Sequence, residues 1–293
     1  MGIRDGKSLW SKLFTLPVPA SKVRIGLALG GGFARGIAHV GVLRVFERNK
    51  IPIHFIAGVS VGAIIASAYA SGTSLDEIEA AASRMNFKDV ARWTLSLMGL
   101  AASDRMESFL HQLLKARKFE DMKIPLAILA CDLSTGEPVV FKQSGDVILP
   151  VRASCAYPGL FRPIQHNGKF LVDGGVTLEL PAQPLRVMGA THVISVLLPS
   201  PDVAPDPANM LAVVNRCFQI MQKRMEPEWR GVSDIVLTPD VEEHSWDGFS
   251  GAKRLVEAGE NAAEAALPKI REWLRITTRA AAAQGSSQRQ SPR

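Results

Sequence analysis

VRIGLALGGGFARGIAHVGVLRVFERNKIPIHFIAGVSVGAIIASAYA, residues 23–70, decides the fold class. Residues 23–29 form a short apolar run that ends at Gly30-Gly31-Gly32, and residues 37–48 follow with helical spacing of Ile37, Val40, Leu43 and Phe46. The pattern then repeats. Residues 53–57 read as a buried strand, and residues 61–70 as a helix of small side chains. Strand-helix alternation of this kind predicts a parallel sheet with helices packed on its faces. Residues 51–75 contain no Asp, Glu, Lys or Arg, and the stretch is long enough to span a bilayer. Pro52, His54, Gly58 and Gly62 interrupt it, however, and its period changes partway. A buried strand-turn-helix unit accounts for the missing charges equally well.

Outward from this unit, helices are expected over 74–84, 106–118, 146–156, 208–226 and 251–274. Strands are expected over 125–131, 139–142, 192–198 and 235–237, and a hairpin turns around Asn167-Gly168. The fold class is therefore α/β, with a three-layer arrangement of a mostly parallel central sheet and helices on both faces. The chain divides into an N-terminal arm (1–22), one globular unit (23–275) and a low-complexity basic tail (276–293) expected to be disordered. Residues 93–100 are apolar without clear amphipathic order and suit ordinary core, ahead of a mobile cover.

The chain has 293 residues, 47% of them hydrophobic and 21% charged, the balance of a globular protein with a sizeable core. Its three cysteines, Cys131, Cys155 and Cys217, form no CxxC pair, which argues against a disulfide framework or a Cys-ligated zinc. The net charge of +6 sits at the ends: residues 1–24 carry +4 and residues 275–293 carry +4, leaving about −2 between them. A nucleic-acid binder concentrates basic residues on its folded body, so no nucleic-acid partner is expected. Basic ends suit weak attraction to anionic lipid, or plain solvated tails. Leu9, Trp10, Leu13 and Phe14 share one helical face, fitting an interfacial helix or an arm packed on the core. No secretory signal is legible, and a cytoplasmic location, with peripheral contact at the membrane, is expected.

Gly58-Val59-Ser60-Val61-Gly62 matches G-x-S-x-G at a strand-to-helix corner. A serine there needs a strained backbone, flanking glycines relieve the crowding, and the following helix points its positive end at the hydroxyl. A structural Gly-Ser turn has the same letters. The loop Gly30-Gly31-Gly32-Phe33-Ala34-Arg35-Gly36 is neither a dinucleotide fingerprint nor a P-loop: Arg35 stands where a third glycine belongs, and Ile37 follows Gly36 in place of Lys. A backbone oxyanion hole fits it better. Arg35 holds that loop, attracts an anionic head group, or makes an ion pair at the helix start. Of six histidines only His192 and His244 follow the serine in the order an α/β-hydrolase triad needs, and neither has a triad-like context. Asp173, in Leu171-Val172-Asp173-Gly174-Gly175, ends a short strand before two permissive glycines, suiting an active carboxylate or a plain Asp-Gly turn.

Taken in order, GGGFARGIAHVGVL, AGVSVGA, ACDLSTGE, ASCAYPGLFRP and LVDGG resemble the patatin-like phospholipases, most of all their bacterial single-domain members, over about residues 23–198. The resemblance implies a serine acyl-ester hydrolase acting on lipid or (lyso)phospholipid esters. It implies Ser60 as nucleophile, Asp173 as its base in a Ser-Asp dyad, and Gly30, Gly31 and Gly32 as oxyanion hole, with Arg35, Gly58, Gly62, Gly174 and Gly175 supporting the motifs. No His/Asp/Glu cluster shows ligand spacing, so no metal or other cofactor is expected. Two departures stand out. Leu178-Glu179 occupies the place where many relatives carry Asn-Pro, and Phe33 replaces a frequent glycine. The alternatives are a non-catalytic acyl-lipid-binding or regulatory module on the same fold, and an esterase with a true triad. Oligomeric state is not legible.

Overall fold

The structure is a computed structural model that describes residues 23–84, 87–96, 98–201, 206–241 and 251–287. The expected N-terminal arm, with its amphipathic face, lies outside the described residues, as does His244. Five parallel strands form the centre of the sheet: β1 (Ile25–Leu29), β2 (Phe55–Val59), β5 (Leu126–Asp132), β9 (His192–Val196) and β10 (Ile235–Leu237). β6 (Pro138–Lys142), β7 (Ile164–His166) and β8 (Lys169–Asp173) add an antiparallel flank, giving the order β10-β9-β1-β2-β5-β8-β7 with β6 beside β5. A separate antiparallel hairpin joins β3 (Arg92–Ser96) to β4 (Gly99–Ala102).

Alternation along β1 explains the three layers. Ile25, Leu27 and Leu29 face one side, where α1 (Ala38–Arg48), α2 (Val61–Ser71) and α9 (Ala252–Ser287) bury their apolar stripes. Gly26 and Ala28 face the other side, against α7 (Ala182–Met188) and the end of α8 (Met210–Arg230), where Trp229 is fully buried. A Cβ on Gly26 would lie 2.9 Å from that of Ala190, so the small residues on this face let α7 lie close to the sheet. α3 (Leu75–Arg84) packs on α2, α5 (Asp104–Leu113) on α3, α4 (Phe87–Val90) on α5, and α6 (Ile148–Ser154) on β5.

The expected elements appear with shifted bounds; the helix read over 106–118, for example, ends at Leu113. The strand read at 53–57 starts two residues later, at Phe55, although the His54 amide already donates to the Ile25 carbonyl at 2.8 Å. Residues 93–96 and 98–100 belong to the β3–β4 hairpin, whose Trp93 and Met98 are exposed while Ala101 is buried against the chain around Leu160. The low-complexity C-terminal stretch continues α9 as helix to Ser287, consistent with the high helix propensity of its run of alanines.

Candidate active site

The central feature is the division of one strand's edge. β6 holds one edge of β5 from Ala127 to Cys131, so β2 and β8 share the other. β2 runs parallel to β5 and ends with Val59 opposite Leu129. β8 runs the opposite way and ends with Asp173 opposite Ala130. The two strands therefore meet end to end, and the residues that leave them, Ser60 and Asp173, face the same cleft.

Ser60 sits at φ +54° and ψ −129°, a conformation costing a non-glycine residue about 1–3 kcal/mol. The surroundings fix it. Its amide donates to Ser154 Oγ at 2.9 Å, and Ser154 Oγ donates to the Leu129 carbonyl at 2.6 Å. Its carbonyl accepts the Ala63 amide at 2.9 Å. The glycines at both sides are required by close backbone approach. A Cβ on Gly58 would meet the Gly62 carbonyl oxygen at 2.4 Å, and one on Gly62 would meet the Leu29 carbonyl oxygen at 2.2 Å.

The glycine loop leaves β1 directly beside this corner. A Cβ built on Gly31 would lie 3.9 Å from Ser60 Oγ, so Gly31 lies against the hydroxyl, and both Gly31 and Gly32 line the cleft. Gly30 does not. Its amide is committed to the Val196 carbonyl at 3.2 Å, and its carbonyl contacts His39 Nε2 at 2.9 Å. His39 is fully buried, which lowers its pKa to about 4; the ring is neutral and donates through Nε2 to that carbonyl. Arg35, also buried, donates from Nη1 to the Pro199 carbonyl at 2.6 Å and so ties the loop to the chain beyond β9.

Asp173 is only 1% exposed. Its Oδ1 accepts the Gly175 amide at 2.8 Å, whereas the buried Oδ2 has no hydrogen-bond partner. Burial raises the carboxyl pKa to about 7; the Gly175 amide and the nearby Ser60 hydroxyl favour the charged form and offset part of that rise. Behind it, the Gly174 carbonyl accepts the Leu178 amide and the Thr177 hydroxyl, at 3.0 and 2.9 Å, which closes the loop where Leu178-Glu179 departs from the common pattern. Glu179 thereby lines the cleft, and its pKa is pushed up to about 7, mainly by burial and then by Glu226.

α8 covers the cleft with Asn215, Phe218, Gln219 and Gln222. Tyr157 bridges to it, donating its hydroxyl to Asn215 Oδ1 at 2.9 Å and packing its ring 4.8 Å from that of Phe218. The enclosed space is about 50 Å³, far below the ~300–1,000 Å³ of a typical ligand pocket. The sequence shows α8 as a helix but holds no signal of its covering role. Ser154 and Tyr157 lie in ASCAYPG, a stretch legible only as part of a family pattern.

No described histidine lines the cleft. His192 opens β9 at the amino end of the sheet, opposite the cleft, with Nδ1 3.0 Å from Thr191 Oγ1 and its ring against Trp273. His54, at the same end, accepts the Ile25 amide on Nδ1. Among the described residues, none of the β3–β4 hairpin lines the cleft. No described helix is long and apolar enough to cross a membrane.

A mostly parallel three-layer sheet with a strained serine at one strand-helix corner and a glycine loop beside it defines a class of α/β proteins. Residues 27–186 match the Patatin-like phospholipase family, and the chain belongs to it. It is 32% identical over 200 residues to an uncharacterised NTE family protein of Mycobacterium tuberculosis, an alignment covering 65% of this chain and 55% of that one. Lysophospholipase NTE1 of Cryptococcus neoformans is 32% identical over 185 residues, covering 61% of this chain and 11% of the relative. The chain thus spans about half the length, or far less, of such relatives. Among solved structures, VipD from Legionella pneumophila shares the fold, with a TM-score of 0.57 and 15% identity over 86% of this chain and 67% of that one.

Proposed function

We propose that this protein hydrolyses the acyl ester bonds of lipids or (lyso)phospholipids, with Ser60 as nucleophile and Asp173 as its direct base. One observation carries the reading: a strained serine and a buried carboxylate, whose Oδ2 has no partner, border the same cleft. Ser60 Oγ attacks the acyl carbon as its proton passes to Asp173. The carbonyl oxygen gains the negative charge and is held by the amides of Gly31 and Gly32, next to the N-terminus of α2. The tetrahedral species collapses, the alcohol leaves with the proton from Asp173, and an acyl-serine remains. Water then attacks that ester, Asp173 takes a proton from the water, and the freed Ser60 takes it back as the fatty acid departs.

A carboxylate raised to about 7 is a far better base than one at 3.8. Loss of the Gly30 amide to Val196 leaves two loop glycines as oxyanion donors. Family membership and the lysophospholipase named among the relatives support the choice of lipid esters. In the resting geometry α8 covers the site, so substrate entry requires it to shift.

An alkyl fluorophosphonate tests the reading. Wild-type protein is expected to be labelled on Ser60 and to cleave p-nitrophenyl butyrate. Ser60→Ala should show no labelling and roughly 10⁴-fold or lower turnover. A folded wild type that neither labels nor turns over would make this chain a lipid-binding module.

A further inference from the structure

Behind the glycine loop lies a second cavity of about 20 Å³, enclosed by α2, α3, α5 and the turn of residues 33–37. Its walls are apolar throughout, among them Phe33, Ile37, Val61, Ile64, Ile78 and Phe109. Phe33 borders this cavity on one side and the Ser60 cleft on the other. At its far side Ala81, Phe109 and Leu113 also border an open groove of about 900 Å³ between α3, α4 and α5. Three spaces thus share walls in sequence: cleft, apolar cavity, groove.

We propose that Phe33 gates an acyl-chain channel running from Ser60 through this cavity toward the groove, an inference that rests on Ser60 being the nucleophile. The cleft itself has a mixed lining, with Asp173, Glu179, Gln219 and Gln222 among apolar side chains, and at about 50 Å³ it has no room for the methylenes of a fatty acid. The cavity offers only apolar wall; at about 20 Å³ it is no larger than a water's share of space, so it admits methylenes only as its walls part with the turning of Phe33. Its position fits as well. Val61 and Ile64 lie on the first turns of the helix that starts at the nucleophile, so a chain attached to Ser60 has this space alongside it. Phe33 has the backbone of a gate held in place by its surroundings: φ is +51°, strained for any residue but glycine, and its ring stands edge-on to Tyr157 at 5.1 Å. Turning the ring away from the shared wall joins cleft to cavity. The small side chain of Ala81 then leaves the way open to the groove, whose charged rim of Asp76, Arg84, Lys88 and Arg105 faces water.

The test compares hydrolysis of p-nitrophenyl esters of four-, eight-, twelve- and sixteen-carbon acids. Ala81→Trp plugs the channel from the side remote from Ser60. It is expected to leave the four-carbon ester unaffected and to lower kcat/KM for the twelve- and sixteen-carbon esters by roughly tenfold or more, since each methylene excluded from apolar surroundings is worth about fourfold. Phe33→Ala is expected to raise the long-to-short ratio. Ala81→Leu is a smaller plug and shows the same direction if the Trp variant does not fold. An unchanged chain-length profile in folded plugged and opened variants overturns the channel. Failure of the wild type on the four-carbon ester, or activity surviving in Ser60→Ala, instead overturns the reading of Ser60.

Discussion

The two ends of the parallel sheet treat their polar groups in opposite ways. At the amino end, where β9 starts, Asp234 accepts the Val193 amide at 2.6 Å and Arg186 Nη2 at 2.8 Å, and Thr191 bonds to His192 and to the amide of Arg24. Polar groups here are matched and partly exposed. At the carboxyl end Asp173 is buried with an oxygen left over, Ser60 is strained, and burial raises the Glu179 carboxyl pKa to about 7. Such an arrangement adds nothing to the stability of the fold, and a buried carboxylate oxygen without a partner beside a strained serine is what the proposed chemistry requires.

Exchanging the carboxylate breaks this contrast most sharply. Asp173→Asn is expected to lower turnover of a short ester by about 10²–10⁴-fold without lowering Tm, because it removes a charge that burial disfavours. A simultaneous fall in Tm to the same extent would mark Asp173 as structural. The pH dependence sharpens the assignment. Only the ionised carboxylate accepts the proton, so kcat/KM should climb with pH and level off above about 7, and Glu179→Gln should leave that inflection in place. Stability has the opposite sign. Between 3.8 and about 7 the folded chain keeps a proton on Asp173 that the unfolded chain releases. Wild type should therefore lose Tm relative to Asp173→Asn as pH rises through that window.

Smaller effects separate support from chemistry. Ser154→Ala leaves the buried Ser60 amide and Leu129 carbonyl without their shared partner and lets the corner relax. Turnover should drop roughly tenfold to a hundredfold with the pH inflection unmoved. At the other end, Asp234→Ala should cost about 1–2 kcal/mol in chemical denaturation and change turnover by less than about twofold. A larger loss of turnover there would mean that the two ends are coupled.

Much of this was legible in residues. Alternating apolar runs and glycines located β1, β2, α1 and α2 to within two residues, and G-x-S-x-G singled out Ser60 because the chemistry of a tight strand-helix corner restricts what can stand there. The sequence also carried the glycine loop, but not that the Gly30 amide is taken by Val196, since that bond comes from a strand more than 160 residues away. The apolar run at 93–100 gave no sign that it would fold back as a hairpin with Trp93 outside, because local hydrophobicity does not say which surface is left for it.

Local sequence, then, determined the strained corner, the permissive loops and the carboxylate at a strand's end, all properties of a few neighbouring residues. Tertiary structure alone decided that these belong to one site. Position 60 and position 173 meet because a parallel and an antiparallel strand occupy successive halves of one edge of β5, the other edge being held by β6. Pairing between strands so far apart in the chain depends on the arrangement of the whole sheet, and no nearest-neighbour pattern encodes it.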